Sequence, residues 1–139
     1  YCSRRQRQMC IRDSPKSEYL TSKLENGTYS MYHQQYQMAL KLFTDIIKED
    51  PKWAEGWNKR ATLLFIMGNY EKSLDDIEKV LDLEPRHFGA LSGRAQIYLS
   101  YKQYEKAIDD LRKAKSIYPL IKSGENIRLI EKIIKEQQI

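Results

Sequence analysis

Cysteine is nearly missing from this chain. Of its 139 residues only Cys2 and Cys10 are cysteines, and none follows position 10. From residue 15 onward this excludes disulfides and thiolate metal ligands, and it leaves the redox compartment open. Histidine is as scarce, with His33 and His87 alone, so general-base catalysis near neutral pH has few routes. No Gly-x-Ser-x-Gly turn, no glycine-rich phosphate loop and no His-Glu-x-x-His helix occurs. No run of residues approaches the ~20 consecutive apolar positions of a membrane helix. We therefore assign no catalytic residue, no metal ligand and no cofactor, and expect no membrane span.

Clustered positive charge is also lacking where a nucleic acid would need it. The formal charge is +5, from 24 Lys and Arg against 19 Asp and Glu. Arg4, Arg5, Arg7 and Arg12 against Asp13 place +3 of it in residues 1–14. The rest then holds 20 cations (24 less 4) and 18 anions (19 less 1). Cations and anions alternate there, as in Glu71-Lys72 and Glu78-Lys79. Alternation of this kind marks a solvated helix face, whereas a phosphate-binding face gathers its cations on one side. No nucleic-acid partner is expected. The Arg-rich stretch 1–14 shows no helical stripe, no initiating Met and no apolar signal core. It resembles translated adapter sequence and is read as a non-native or disordered leader, with residues 15–139 as the folded domain. An export signal upstream of residue 15 would mean a periplasmic protein; without one, a cytoplasmic protein is expected.

What the chain does have is a period. Pro51, Pro85 and Pro119 recur at one fixed interval (85 less 51, 119 less 85), and Tyr36, Tyr70 and Tyr104 keep the same one. So do Ala39, Ser73 and Ala107, as well as Phe43, Ile77 and Leu111, then Ile46, Val80 and Ala114. Within a unit, Leu74, Ile77 and Leu81 form one helical stripe, and Trp57, Ala61 and Leu64 form another before Gly68. Gly68-Asn69 marks the reversal between two antiparallel helices, and proline stops the second helix. Small residues at Ala61 and Ser73 let the two axes approach.

These residues resemble the tetratricopeptide repeat. Trp57, Ala61, Leu64, Gly68, Tyr70, Ile77, Val80 and Pro85 carry the likeness in the second unit. Leu91, Ala95, Tyr98, Tyr104, Ala107, Leu111, Ala114 and Pro119 carry it in the third. The first unit matches in its second helix, while its first helix offers only Gly27. The runs 53–62 and 83–93 resemble small, largely uncharacterised proteobacterial members. The resemblance implies an all-α, right-handed α-solenoid of three helix-turn-helix units, at about 20–53, 54–87 and 88–121. Ile127, Ile130, Ile133 and Ile134 then form the apolar face of a capping helix over 122–138.

By the same resemblance, the concave groove holds a peptide or helix of a partner protein. Its candidates are Asn58, Lys59, Thr62 and Phe65 from the second unit, with Ser92, Gln96 and Leu99 from the third. Thr28, Met31 and Tyr32 correspond in the first. Relatives that bind chaperone tails grip a carboxylate with Lys, Asn and Arg; here those positions read Leu24, Thr28, Lys59, Gly89 and Gly93. With one cation among them, no chaperone tail is expected as partner. Arg86 and His87 are candidates for a loop contact. His87 reads otherwise as a local hydrogen-bonding group, since no second His or Cys is near it in sequence. Arg60 and Arg94 replace apolar repeat residues, and Arg60 is expected to pair with Asp75 or Asp76. The alternative role is structural: a scaffold, or a portion of a longer repeat protein, making contacts by its convex faces or ends.

Overall fold

In a computed structural model, residues 15–120 and 124–138 are described. The leader with Cys2 and Cys10, and residues 122–123 of the expected cap, lie outside the described residues. Among those described, all regular structure is helical: α1 (Pro15–Tyr32), α2 (Tyr36–Glu49), α3 (Ala54–Ile66), α4 (Tyr70–Leu83), α5 (Phe88–Ser100), α6 (Tyr104–Ile117) and α7 (Gly124–Gln137). They pair as α1–α2, α3–α4 and α5–α6, with α7 laid against α6. No described helix is long and apolar enough to cross a membrane.

Tyr36, Tyr70 and Tyr104 each open the second helix of a unit, and each such helix ends two residues before a proline. The turn inside each unit is built the same way three times. Gln34, Gly68 and Lys102 hold equivalent places in successive units, all in the left-handed region, at φ 62°, 81° and 58°. The next N–H closes the helix end: Gln35, Asn69 and Gln103 donate to the carbonyls of Ser30, Leu64 and Tyr98 at 2.8 Å each. That satisfies carbonyls left over at the helix terminus. Only the middle turn uses glycine, the residue without steric penalty at that φ.

Second helices bury one stripe. In α2 it is Ala39, Phe43, Ile46 and Ile47; in α6 it is Ala107, Ile108, Leu111 and Ala114. First helices are packed on two sides, since α3 touches both α2 and α4. Their burial is broader, as in Ala54, Gly56, Ala61, Leu63 and Leu64 of α3. Small residues set the axial spacing, and the buried Ser73 hydroxyl donates to the Ala61 carbonyl at 2.7 Å. Gly27 does the same work in the first unit. A Cβ there would stand 2.5 Å from the Phe43 ring, which is fully buried. In α7 Ile130 is buried, with Ile127 and Ile134 packed on the same cluster as Ala107 and Leu111.

Candidate functional site

Two side-chain systems distinguish the second and third units from the first. Arg60 reaches from α3 to α4, where Nε and Nη2 donate to the two carboxylate oxygens of Asp76 at 2.7 and 2.8 Å. Of the two acids open to Arg60, the buried Asp76 is the partner, and Asp75 is exposed. Arg94 repeats the fork on Asp110, at 2.7 Å twice. The hydrogen bond to Asp110 raises the Arg94 pKa further above its ordinary range. Each guanidinium also lies over a ring, Arg60 on Trp57 at 5.1 Å and Arg94 on Tyr98 at 5.8 Å. A bidentate fork satisfies both buried carboxylate oxygens at once. The corresponding residues of the first unit, one period earlier, are Asn26 and Leu42.

His87 couples neighbouring units. Its Nδ1 accepts from the Ala90 N–H at 3.0 Å, which caps α5, and its Nε2 lies 2.8 Å from Glu55 Oε1 on α3. Because Nδ1 faces a donor, the neutral ring carries its proton on Nε2 and gives it to Glu55. The hydrogen bond to Glu55 raises the His87 pKa above its ordinary 6.5, against the smaller opposing effect of burial. Protonating Nδ1 would end the cap, worth about 1 kcal/mol. Protonation also brings the imidazolium's attraction to the Glu55 carboxylate, and the net direction is upward. Arg86, next to it, is exposed.

Between α3 and α5 the inner surface opens into a recess of about 230 Å³. From α3 it receives Asn58, Ala61, Thr62 and Phe65, and from α4 Ser73 and Ile77. Gly89, Ala90, Ser92, Gly93 and Gln96 of α5 complete it. The structure thus brings together five of the seven residues expected in the groove: Asn58, Thr62, Phe65, Ser92 and Gln96. Lys59 and Leu99 are half-buried and do not line it. The eleven described lining residues carry no charge. Against the pattern of a carboxylate clamp, Gly89 and Gly93 read as missing ligands. Both line the recess instead; a Cβ at Gly93 would meet Ile77 Cδ1 at 3.8 Å, and one at Gly89 would meet the His87 ring at 3.2 Å. Beside the recess an aromatic ladder runs from Phe65 to Tyr70, centroids 5.2 Å apart, and on to Tyr101 at 6.0 Å. Among the described residues no group of three or more His, Cys, Asp or Glu is placed to hold a metal ion.

Residues 54–87 match one tetratricopeptide repeat profile and residues 89–119 another. These two segments of the chain are tetratricopeptide repeats. A TPR repeat-containing protein of Rhizobium etli is 60% identical over 53 residues, which cover 38% of this chain and 26% of that protein. An Hsp70-Hsp90 organizing protein of Glycine max is 33% identical over 75 residues, 50% of this chain and 13% of that protein. The chain therefore spans only a small part of these relatives. Among solved structures, the first TPR of Spaghetti (RPAP3) bound to an HSP90 peptide superposes with a TM-score of 0.79 at 19% identity, covering 86% of this chain and 95% of that one. The Sgt2 TPR domain from Aspergillus fumigatus gives 0.77 at 20% identity, covering 90% and 83%. At such identities the likeness describes the fold, an α-solenoid of stacked helix pairs.

Proposed function

We propose that this chain is a protein-interaction module whose concave groove holds a peptide or helix of a partner protein. The observation that carries the reading is the uncharged recess between α3 and α5, where apolar walls stand beside the amides of Asn58 and Gln96 and the hydroxyls of Thr62 and Ser92. Such a mixture suits helix-in-groove or extended-peptide capture. The family's interaction role and the peptide-bound state of one fold neighbour support it. A catalytic role is not part of this reading, nor is a metal or a cofactor.

Capture of an acidic chaperone tail is not part of it either. Arg60 and Arg94, on the same helices as the recess residues Asn58 and Gln96, are bound in forks to Asp76 and Asp110. Lys59 is then the one cation among the positions a carboxylate clamp would use. The reading is tested with the full chain as bait in lysate of the source cell, beside an Asn58→Ala/Gln96→Ala bait whose helicity matches. A protein retained by the first and lost from the second supports the groove. Identical captures on both baits refute it. The scaffold reading would then gain ground, since Leu120 and Leu129 are exposed near the C-terminal end.

A further inference from the structure

We infer that the recess is an anchor pocket for one uncharged apolar side chain, of leucine, methionine or phenylalanine size, presented by the partner segment. The inference rests on the groove reading and names the chemistry of its occupant. The pocket exists because the third unit departs from the second. Glu55 and Lys59 of α3 correspond, one period on, to Gly89 and Gly93 of α5. Where α3 carries two long charged side chains, α5 carries none, and both glycines line the recess. A Cβ at Gly93 would make ordinary contact with Ile77 Cδ1 at 3.8 Å, so packing of the fold does not require glycine there. Glycine inside a helix costs about 0.5–1 kcal/mol against alanine, and this one returns nothing to the fold except open space.

Size and polarity define what fits. About 230 Å³ is more than the ~150 Å³ of an apolar cavity that accepts benzene. Ala61, Phe65, Ile77 and Ala90 supply apolar wall, and no described lining residue could neutralise a charged guest. An ionised side chain would lose its hydration with no countercharge in return. One polar group is left over. The Ser92 Oγ is buried and has no hydrogen-bond partner in the protein. A buried hydroxyl without a partner is uncommon; less than 1 Å² of this Oγ is open to solvent, so it meets a backbone N–H or C=O beside the anchor only after the Ser92 side chain turns into the recess. An apolar side chain next to a peptide group answers both features.

The test selects random peptides displayed on phage, each about a dozen residues long, on the full chain and measures the enriched sequences by fluorescence anisotropy. Enriched peptides are expected to share one Leu, Met or Phe, and its change to Asp should weaken binding by about 10- to 100-fold, the value of one buried apolar side chain. Gly93→Leu fills the pocket and should weaken binding by a similar factor, while its melting temperature stays equal or rises. Ser92→Ala should weaken it by about two- to tenfold. If peptides bind and depend on Asn58 and Gln96, yet tolerate Gly93→Leu or the anchor-to-Asp change, the groove reading stands and the anchor pocket is refuted. An acidic or basic consensus refutes the pocket as well. If no peptide enriches, or none responds to Asn58→Ala/Gln96→Ala, both readings fall.

Discussion

Replacing Arg94 by alanine would leave the Asp110 carboxylate almost fully buried, at 4% side-chain exposure, with the fork on its two oxygens gone. Removing one member of a buried pair costs about 3–5 kcal/mol, because the remaining charge is stranded. The Arg94 side chain keeps 21% exposure, so water can reach the vacated position, and the lower figure of about 2–3 kcal/mol is expected. In a domain of this size that is a fall in melting temperature of roughly 6–12 °C. The companion Arg94→Met/Asp110→Leu variant removes both charges and should lie within about 1 kcal/mol of the parent. Urea denaturation followed by circular dichroism of the parent, Arg94→Met, Asp110→Leu and the double variant gives the coupling, expected at about 1.5–3 kcal/mol. Solenoid units touch only their neighbours, so amide exchange should accelerate in α5, α6 and α7 before it does in α1 and α2. The reasoning fails if Arg94→Ala costs less than about 1 kcal/mol, or if the double variant loses as much as the two single ones together.

Three further outcomes follow from the same geometry. Lys102→Gly and Gln34→Gly should each stabilise by about 0.5–1 kcal/mol, the left-handed penalty of a side chain less the entropy of glycine; Gly68→Ala should cost about 1 kcal/mol, and equal melting curves for all three would contradict the turn account. Gly27→Ala should destabilise by about 1–2 kcal/mol despite its better helix propensity, since the new methyl meets the buried Phe43 ring; a rise in melting temperature would mean the ring yields. The His87–Glu55 pair should contribute most below pH 6.5, and its contribution should fade as pH rises through the raised folded pKa. Glu55→Gln should bring the His87 midpoint, read by NMR, back toward its ordinary value, and an unchanged midpoint would assign the shift to another cause.

Much of this architecture was legible because the repeat enforces one local solution in each unit. Tyr36, Tyr70 and Tyr104 begin helices where the repeat interval places them, and the buried positions of α4 and α6 follow the spacing of Ile77 and Leu111. The first helices read less clearly for a physical reason. A helix clasped on two sides buries residues around most of its circumference, so its apolar positions do not form a single stripe. Leu63 of α3 and Ile97 of α5, both fully buried, stand outside the stripes that periodicity picks out. In α1 the Cβ-free Gly27 matters through Phe43 of α2, a contact between helices that no local pattern reveals.

The site was half legible for a related reason. Lining residues that carry a functional group, such as Asn58 and Gln96, can be found by register alone. Those that act by having no side chain cannot. Gly93 looks like a deletion when set beside a clamp of cations, and only the packing of α5 against α3 and α4 shows the space beside it. The partner of His87 was hidden likewise, since Glu55 sits on the preceding unit, whereas Asp110 lies one period after Asp76 and pairs with Arg94 as Asp76 does with Arg60. The forks pair the arginines of α3 and α5 with Asp76 and Asp110, and the His87 bridge fixes the start of α5 relative to α3, the two helices between which the recess opens. The forks tie each first helix to its own second helix and leave both arginines paired, so the uncharged lining between α3 and α5 is what the proposed apolar anchor requires.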